Sequence, residues 1–208
     1  MVWAVVCVVF VAALLFAERT HNRTLKAVAK TAASIAFCIF GYVNDAFSTL
    51  HGTLVFAGLV LSLVGDAFLL SKAKHWFLCG LVAFLIAHVM YGVAFTTRGV
   101  NHRHVGLLVA ALFGVASVVW RWLGPHVKSK MRVPVLAYIA TISWMLAAAI
   151  ATSYQTDTWP IFGGALLFYL SDLFVARERF VVSGFTNKVF GLPLYYAGQL
   201  VLAAWATT

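Results

Sequence analysis

Charged residues are scarce in this chain: Lys, Arg, Asp and Glu make up 10% of its 208 residues, whereas 63% are hydrophobic. A soluble domain is about a quarter charged and about half apolar. The scarcity of charge therefore excludes a soluble globular domain. The long apolar runs predict an all-α fold, a polytopic bundle of transmembrane helices.

Cysteine is rare, and the common cofactor motifs are missing. The three cysteines, Cys7, Cys38 and Cys79, stand singly in apolar runs, which predicts small core residues and excludes a disulfide framework. His88 is the one histidine inside a predicted span, too few ligands for a membrane di-iron site. The sequence also lacks a P-loop, a glycine-rich dinucleotide turn and a Gly-x-Ser-x-Gly elbow. We therefore predict no metal site and no organic cofactor.

Eight apolar runs approach the length of a membrane-spanning helix, which needs about 20 residues. The loops between these runs are short, and the sequence contains no linker. We therefore predict that residues 1–208 form one integral membrane domain. The predicted spans are Val2–Ala17, Leu25–Val43, Gly52–Leu70, Trp76–Thr96, Val105–Leu123, Val133–Ser153, Pro160–Ala176 and Lys188–Ala206.

Lys and Arg are distributed unevenly over the loops. Thirteen of the 15 lie on odd-numbered loops, and only Arg98 and Arg103 lie on even-numbered loops. Because positively charged loops stay in the cytoplasm, the odd loops are predicted to be cytoplasmic and both termini to lie outside. Contact with lipid headgroups then accounts for the formal net charge of +9. We expect the lipid bilayer as a partner and no nucleic acid.

Two aspartates stand inside apolar runs, where a carboxylate is costly and is by default a functional residue. Asp66 follows Gly65 near the end of the third span, and Asp172 follows Ser171 near the end of the seventh. Both spans run towards the cytoplasm, so the two carboxyl groups share a depth roughly 6 Å from the helix ends. If the small residues bring these helices together, one carboxyl keeps its proton while the other ionises, the pairing of acid/base catalysis. The alternative is that each aspartate only hydrogen-bonds a neighbouring helix.

Other polar side chains also lie within the spans. His88 and Tyr91 are one turn apart in the fourth span, and Tyr195, Tyr196 and Gln199 lie at a similar depth in the eighth. These groups are either interhelical hydrogen-bond partners or a polar lining that positions a substrate or a water.

The ordered set of these residues resembles the YhhN-like membrane proteins, and the resemblance covers most of the chain. Lys30-Thr31 departs from the Lys-Pro that often enters the second span in that family, which affects the start of a helix and not the chemistry. The residues that carry the resemblance are Gly65, Asp66, Leu70, Phe77, Gly80, Phe84, His88, Tyr91, Tyr138, Met145, Gly164, Phe168, Ser171, Asp172, Phe180, Tyr195, Tyr196 and Gln199.

The characterised members of that family are lysoplasmalogenases. The resemblance therefore implies hydrolysis of the vinyl ether bond of a lysoplasmalogen to a fatty aldehyde and a glycerophospho-base, such as glycerophosphoethanolamine or glycerophosphocholine. It also implies eight helical spans, with Asp66 and Asp172 as the catalytic residues. We expect a multi-pass protein of the plasma or inner membrane in a bacterium, or of the endoplasmic reticulum in a eukaryote.

Vinyl ether hydrolysis suits two aspartates in a dry site. The bond is inert to base and breaks when the β-carbon is protonated, which produces an oxocarbenium ion that water captures. A second carboxylate stabilises the cation and activates the water. The lysophospholipid would enter from the bilayer with its phosphate at the cytoplasmic headgroup level. The basic residues expected to bind that phosphate are Lys30, Lys72, Lys74, Arg177 and Arg179.

Three other functions would use the same sequence features. A proton-coupled transporter would use Asp66 and Asp172 as its relay. An intramembrane aspartyl protease also pairs two aspartates, but Leu63 stands where such proteases usually have glycine. The third alternative is a non-catalytic structural or lipid-sensing protein. Turnover by purified protein without a gradient separates an enzyme from a transporter.

Overall fold

The computed structural model describes residues 1–71, 73–100 and 105–205, and the regular secondary structure of these residues is helical. Eight α-helices follow one another in the order of the eight predicted spans, which confirms the all-α fold class. They are α1 (Val2–Arg19), α2 (Arg23–Val43), α3 (Leu50–Phe68), α4 (Lys74–Thr97), α5 (Val105–Leu123), α6 (Ser129–Thr156), α7 (Trp159–Ala176) and α8 (Phe185–Ala204). A 3-10 turn (Gly124–His126) follows α5, and a π-helical turn (Arg177–Val181) extends α7.

Six helices among the described residues are long and apolar enough to cross a membrane: α1, α2, α3, α4, α6, and α7 with its π-helical extension to Val181. Helix α8 is not among them, because it carries Asn187, Lys188, two tyrosines and Gln199. The number of eight spans and the external termini stay predictions.

The helices pack as a closed ring. Contacts run from α2 to α3, α4, α6, α7 and α8 in turn, and α8 packs back against α2. Helix α1 lies outside the ring between α2 and α8, and α5 packs on the outside of α6. Helix α8 packs against α1, α2, α3 and α7, which places its polar groups against protein and away from lipid.

Small residues set the closest approaches in the ring. A Cβ added to Gly65 would lie 2.6 Å from the ring of Phe84, so the glycine allows α3 and α4 to pack directly beside Asp66. A Cβ added to Gly198 would lie 3.0 Å from the carbonyl oxygen of Gly164, so the backbones of α7 and α8 are in contact there. Gly65 thus permits close packing beside Asp66, but against α4 and not against the helix that carries Asp172.

We predict that Gly65→Ala destabilises the protein by about 1–3 kcal/mol, because overpacking forces the Phe84 ring to move. The measurement is the thermal unfolding midpoint in detergent. Gly163→Ala on α7 is the matched control: its added Cβ meets nothing within 4 Å, so its midpoint should stay or rise slightly. Equal losses in the two variants would contradict the packing argument.

We predict that a cysteine at Ser129 resists an impermeant thiol reagent in intact cells and reacts after lysis, because the charge bias places this loop in the cytoplasm. Ser129 is exposed at the start of α6. Ser48→Cys, exposed in the loop between α2 and α3, is the matched control and should react in intact cells. The wild-type chain supplies the background of its three native cysteines. The reverse pattern would invert the orientation.

Candidate active site

Every helix of the ring contributes a polar side chain to its interior. The buried members are Lys30 and Ser34 from α2, Asp66 from α3, His88 and Tyr91 from α4, and Tyr195, Tyr196 and Gln199 from α8. Helix α6 adds Tyr138, and α7 adds Asp172, whose side chain is 14% exposed. Eight of the predicted site residues thus lie in the interior of the ring.

Asp66 is surrounded by hydrogen-bond donors. The Lys30 ammonium lies 3.0 Å from Oδ1. Ser34 Oγ is 2.6 Å and the Tyr195 hydroxyl 2.8 Å from Oδ2, and both donate to it. The ammonium can only donate hydrogen bonds, and both hydroxyls donate here. These partners therefore hold Asp66 as a hydrogen-bond acceptor.

A second layer holds the donors of Asp66 in place. Ser34 Oγ lies 3.2 Å from the Tyr196 hydroxyl. Both hydroxyls also lie within hydrogen-bond distance of the Lys30 carbonyl oxygen, at 3.0 Å for Ser34 and 3.3 Å for Tyr196. Tyr196 therefore acts on the carboxylate through Ser34, whereas Tyr195 touches it directly.

Asp172 has different partners. The Tyr138 hydroxyl donates to its Oδ2 over 2.7 Å. His88 Nε2 lies 3.6 Å from the same oxygen, slightly beyond hydrogen-bond distance. Within the part of the chain that the structure describes, neither Lys nor Arg forms an ion pair with Asp172.

The imidazole of His88 is fully enclosed and fixed in orientation. Its Nδ1 lies 2.6 Å from the carbonyl oxygen of Phe84, one turn earlier on α4. The Phe168 ring lies 4.5 Å from the imidazole, centroid to centroid, and the Tyr138 ring meets it edge-on at 5.3 Å. Nε2 has no hydrogen-bond partner and faces Asp172.

Aromatic rings connect the two carboxyl groups. Phe168 of α7 packs against Tyr195, the partner of Asp66, at 5.2 Å and against His88, the partner of Asp172, at 4.5 Å. Among the described residues, the carboxyl groups share no hydrogen-bond partner, and α3 and α7 are not among the helix pairs that pack closely against each other. The two acids are thus not in direct contact. Phe168, which packs against a partner of each, is what connects their surroundings.

Tyr91 and Gln199 form a deeper pair. The Tyr91 hydroxyl donates to Gln199 Oε1 over 2.7 Å. Both residues are fully buried, one turn further from the N-terminal ends of α4 and α8 than His88 and Tyr195. They extend the polar lining and touch neither carboxyl group directly.

The predicted phosphate-binding cations fall into three groups. Lys30 is committed to Asp66, and Arg177 Nη1 donates to Asn187 Oδ1 over 2.5 Å. Lys74 is exposed at the start of α4, and exposed Arg179 lies over the Phe77 ring, 4.1 Å from its centroid. The fifth residue, Lys72, lies outside the described residues.

Sequence reasoning missed two contact residues of the carboxyl groups. Ser34 follows Lys30 by one helical turn, and this spacing is the signal that would have placed both on the face of α2 that meets Asp66. Tyr138 was part of the family resemblance but was not assigned to the site, although it donates to Asp172. In the described residues, no cluster of three or more His, Cys, Asp or Glu side chains has a metal-binding arrangement.

The chain is similar to curated proteins from animals and bacteria. It is 31% identical over 157 residues to "Lysoplasmalogenase TMEM86A" of Bos taurus, which covers 73% of this chain and 64% of that protein. It is 32% identical over 149 residues to "Lysoplasmalogenase TMEM86B" of Mus musculus (72% and 61%) and 30% identical over 159 residues to "Lysoplasmalogenase" of Mycobacterium tuberculosis (70% and 57%). The chain thus spans less than two thirds of the length of each of these relatives. No solved structure matches it.

The model of the YhhN family matches residues 25–206, which include every predicted site residue. Together with six helices apolar enough to span a bilayer, the match makes this a multi-pass membrane protein. The chain belongs to the YhhN family.

Proposed function

We propose that this protein hydrolyses the vinyl ether bond of lysoplasmalogens, releasing a fatty aldehyde and glycerophosphoethanolamine or glycerophosphocholine. The observation that carries the proposal is the placement of Asp66 and Asp172, each with its own hydrogen-bond donors, inside one ring of helices. Relatives whose printed name is lysoplasmalogenase supply the substrate class.

The reaction needs one group that gives a proton and one that stays negative. Protonation of the vinyl β-carbon makes a C–H bond and leaves an oxocarbenium ion on the α-carbon and the ether oxygen. A carboxylate nearby stabilises this cation in a site of low dielectric, and water then adds to the α-carbon. The resulting hemiacetal separates into the aldehyde and the glycerol hydroxyl. Two carboxyl groups in an aromatic-lined site supply both functions without a further reactant.

The depth of the site suits a single-chain lipid. Asp66 and Asp172 both lie near the ends of helices that finish on the predicted cytoplasmic side. In a lysoplasmalogen the vinyl ether is only a glycerol unit away from the phosphate, so the phosphate would lie at the headgroup level when the vinyl carbons reach the acids. Arg179 lies over the Phe77 ring, and exposed Lys74 begins the same helix three residues before Phe77, so these two cations are our candidates for the phosphate clamp.

The direct test is an aldehyde-release assay on purified protein in detergent, with a lysoplasmalogen as substrate. The expected result is release of one fatty aldehyde per glycerophospho-base, without any ion gradient. A proton-coupled transporter would give no aldehyde under these conditions. Absence of aldehyde above a heat-inactivated control would refute the proposed activity.

We predict that Asp66→Asn and Asp172→Asn each lower kcat by about a hundredfold or more, since general acid/base groups typically contribute about 10² to 10⁴. The double variant should be little slower than either single one, because the two groups serve one step. Asp45→Asn, an exposed aspartate in the loop after α2, is the matched control and should keep full activity. Size-exclusion profiles check folding. Near-normal turnover in either single variant would remove that aspartate from the mechanism.

We predict that Lys74→Gln and Arg179→Gln raise KM and leave kcat unchanged, because a phosphate contact is kept equally in the ground and transition states. Arg177→Gln should instead lower the amount of folded protein, because it loses the bond to Asn187. Lys128→Gln, on an odd loop remote from the aspartates in sequence, controls for charge alone. An unchanged KM in both clamp variants would place the phosphate site elsewhere.

A further inference from the structure

The two aspartates differ in the groups around them: Asp66 contacts a cation, and Asp172 does not within the described residues. Around Asp66, the Lys30 ammonium and the Ser34 and Tyr195 hydroxyls occupy both carboxylate oxygens. Lys30 and Asp66 are only 8% and 4% exposed, so a proton on Asp66 would leave a buried ammonium without its counter-charge. Asp66 is therefore built to stay an anion.

Around Asp172 no Lys or Arg of the described residues lies within ion-pair distance, and the neighbouring imidazole is oriented as a hydrogen-bond acceptor. A backbone carbonyl can only accept, so His88 Nδ1, which lies 2.6 Å from the Phe84 carbonyl oxygen, carries the hydrogen of the neutral imidazole. Nε2 then presents a lone pair to the carboxyl oxygen of Asp172, 3.6 Å away. Two lone pairs facing each other in a dry site are unfavourable unless one group is protonated.

Two observations indicate which group carries that proton: the distance between Nε2 and Oδ2 and, in the described part of the chain, the absence of a counter-charge around His88. The 3.6 Å between Nε2 and Oδ2 is longer than the distance of about 2.7–2.9 Å in a charge-assisted hydrogen bond, so the two groups do not form a tight ion pair. His88 is enclosed by the Phe168 and Tyr138 rings, which offer no counter-charge. A buried carboxyl group without a cation in contact is favoured in its neutral form, so the proton belongs on Asp172 and the imidazole stays neutral.

We propose that Asp172 is the general acid of the reaction, that His88 positions it and keeps it protonated, and that Asp66 is the anion that stabilises the oxocarbenium ion. This inference rests on the proposed function and assigns the two carboxyl groups their separate roles. Tyr138 donates to Oδ2 of Asp172 and fixes the orientation of the acid.

The bonds and protons balance within this arrangement. The Asp172 O–H bond breaks as the vinyl electron pair forms the new C–H bond at the β-carbon. The ether oxygen then supplies the electrons of the oxocarbenium double bond, and its charge faces the anionic Asp66. When water adds to the α-carbon, its proton returns to the Asp172–His88 pair, which restores the acid for the next turnover.

Exposure supports the same division. The Asp172 side chain is 14% exposed whereas His88 is fully buried, so a substrate can reach the carboxyl group and not the imidazole. His88 is accordingly a positioning residue that acts through Asp172. The Phe168 ring contacts both His88 and Tyr195, which are the neighbours of the two carboxyl groups.

The first test is infrared spectroscopy of the purified protein without substrate. The expected wild-type spectrum contains a protonated-carboxyl C=O band that shifts in D₂O. This band should disappear in Asp172→Asn, remain in Asp66→Asn, and change frequency in His88→Gln, which removes the Nε2 lone pair. His51→Gln is the matched control: His51 is also buried with Nδ1 near a backbone carbonyl, that of Ala94, and the band should be unaffected.

The second test is kinetic. His88→Gln should lower kcat about tenfold to a hundredfold without changing KM, a smaller loss than for Asp172→Asn. His51→Gln should leave both constants unchanged, which separates a role in proton supply from the general loss of a buried histidine. Asp172→Glu should recover part of the activity that Asp172→Asn loses, since it restores a proton donor.

The outcomes separate this inference from the proposed function. A band that survives in Asp172→Asn and disappears in Asp66→Asn would reverse the two roles, and a wild-type spectrum without the band would refute a resident carboxylic acid. An Asp172 band in a protein that releases no aldehyde would leave the proton assignment standing and remove lysoplasmalogen hydrolysis. Aldehyde release by a protein in which Asp66 carries the proton would support lysoplasmalogen hydrolysis and overturn the assignment of the two roles.

Discussion

The ion pair between Lys30 and Asp66 is the interaction on which the rest of the site depends. It joins α2 to α3 within the ring, and the Ser34 and Tyr195 hydroxyls add α2 and α8 to the same carboxylate. Removing one partner of a buried pair costs about 3–5 kcal/mol, because the other charge is left without compensation. The pair and the Tyr195 hydroxyl therefore hold α2, α3 and α8 together at one carboxylate. The Lys30 ammonium compensates the negative charge of Asp66 inside an apolar bundle.

The ring of six helices turns this local pair into a site. Asp66 and Asp172 belong to helices that do not pack closely against each other, and the Phe168 ring contacts both Tyr195 and His88. A separation of this kind lets two similar side chains have different chemical roles, because each carboxyl group responds to its own donors. The polar character of α8 suits the same geometry: it lies against α1, α2, α3 and α7, and its two tyrosine hydroxyls reach Asp66 of α3 and Ser34 of α2.

The sequence by itself determined the membrane character, the helical fold class and the two acids. Apolar runs of near-spanning length leave helices as the only way to satisfy the backbone, and aspartates within such runs are too costly to be incidental. It also indicated His88, Tyr91, Tyr195, Tyr196 and Gln199, because polar groups at these positions interrupt otherwise apolar helix faces. These inferences need only local composition and spacing.

Only the tertiary structure decided which groups meet. Helical spacing gives the depth of a side chain but not the rotation of one helix against another, so the partnership of Lys30 with Asp66 could not be read from loop charge, which marked Lys30 as a phosphate ligand. Tyr138 and His88 converge on Asp172 from α6 and α4, which are separated in the chain by α5. The physical reason is that hydrogen bonds and ion pairs act over about 3 Å, so they depend on how helices distant in sequence close the ring.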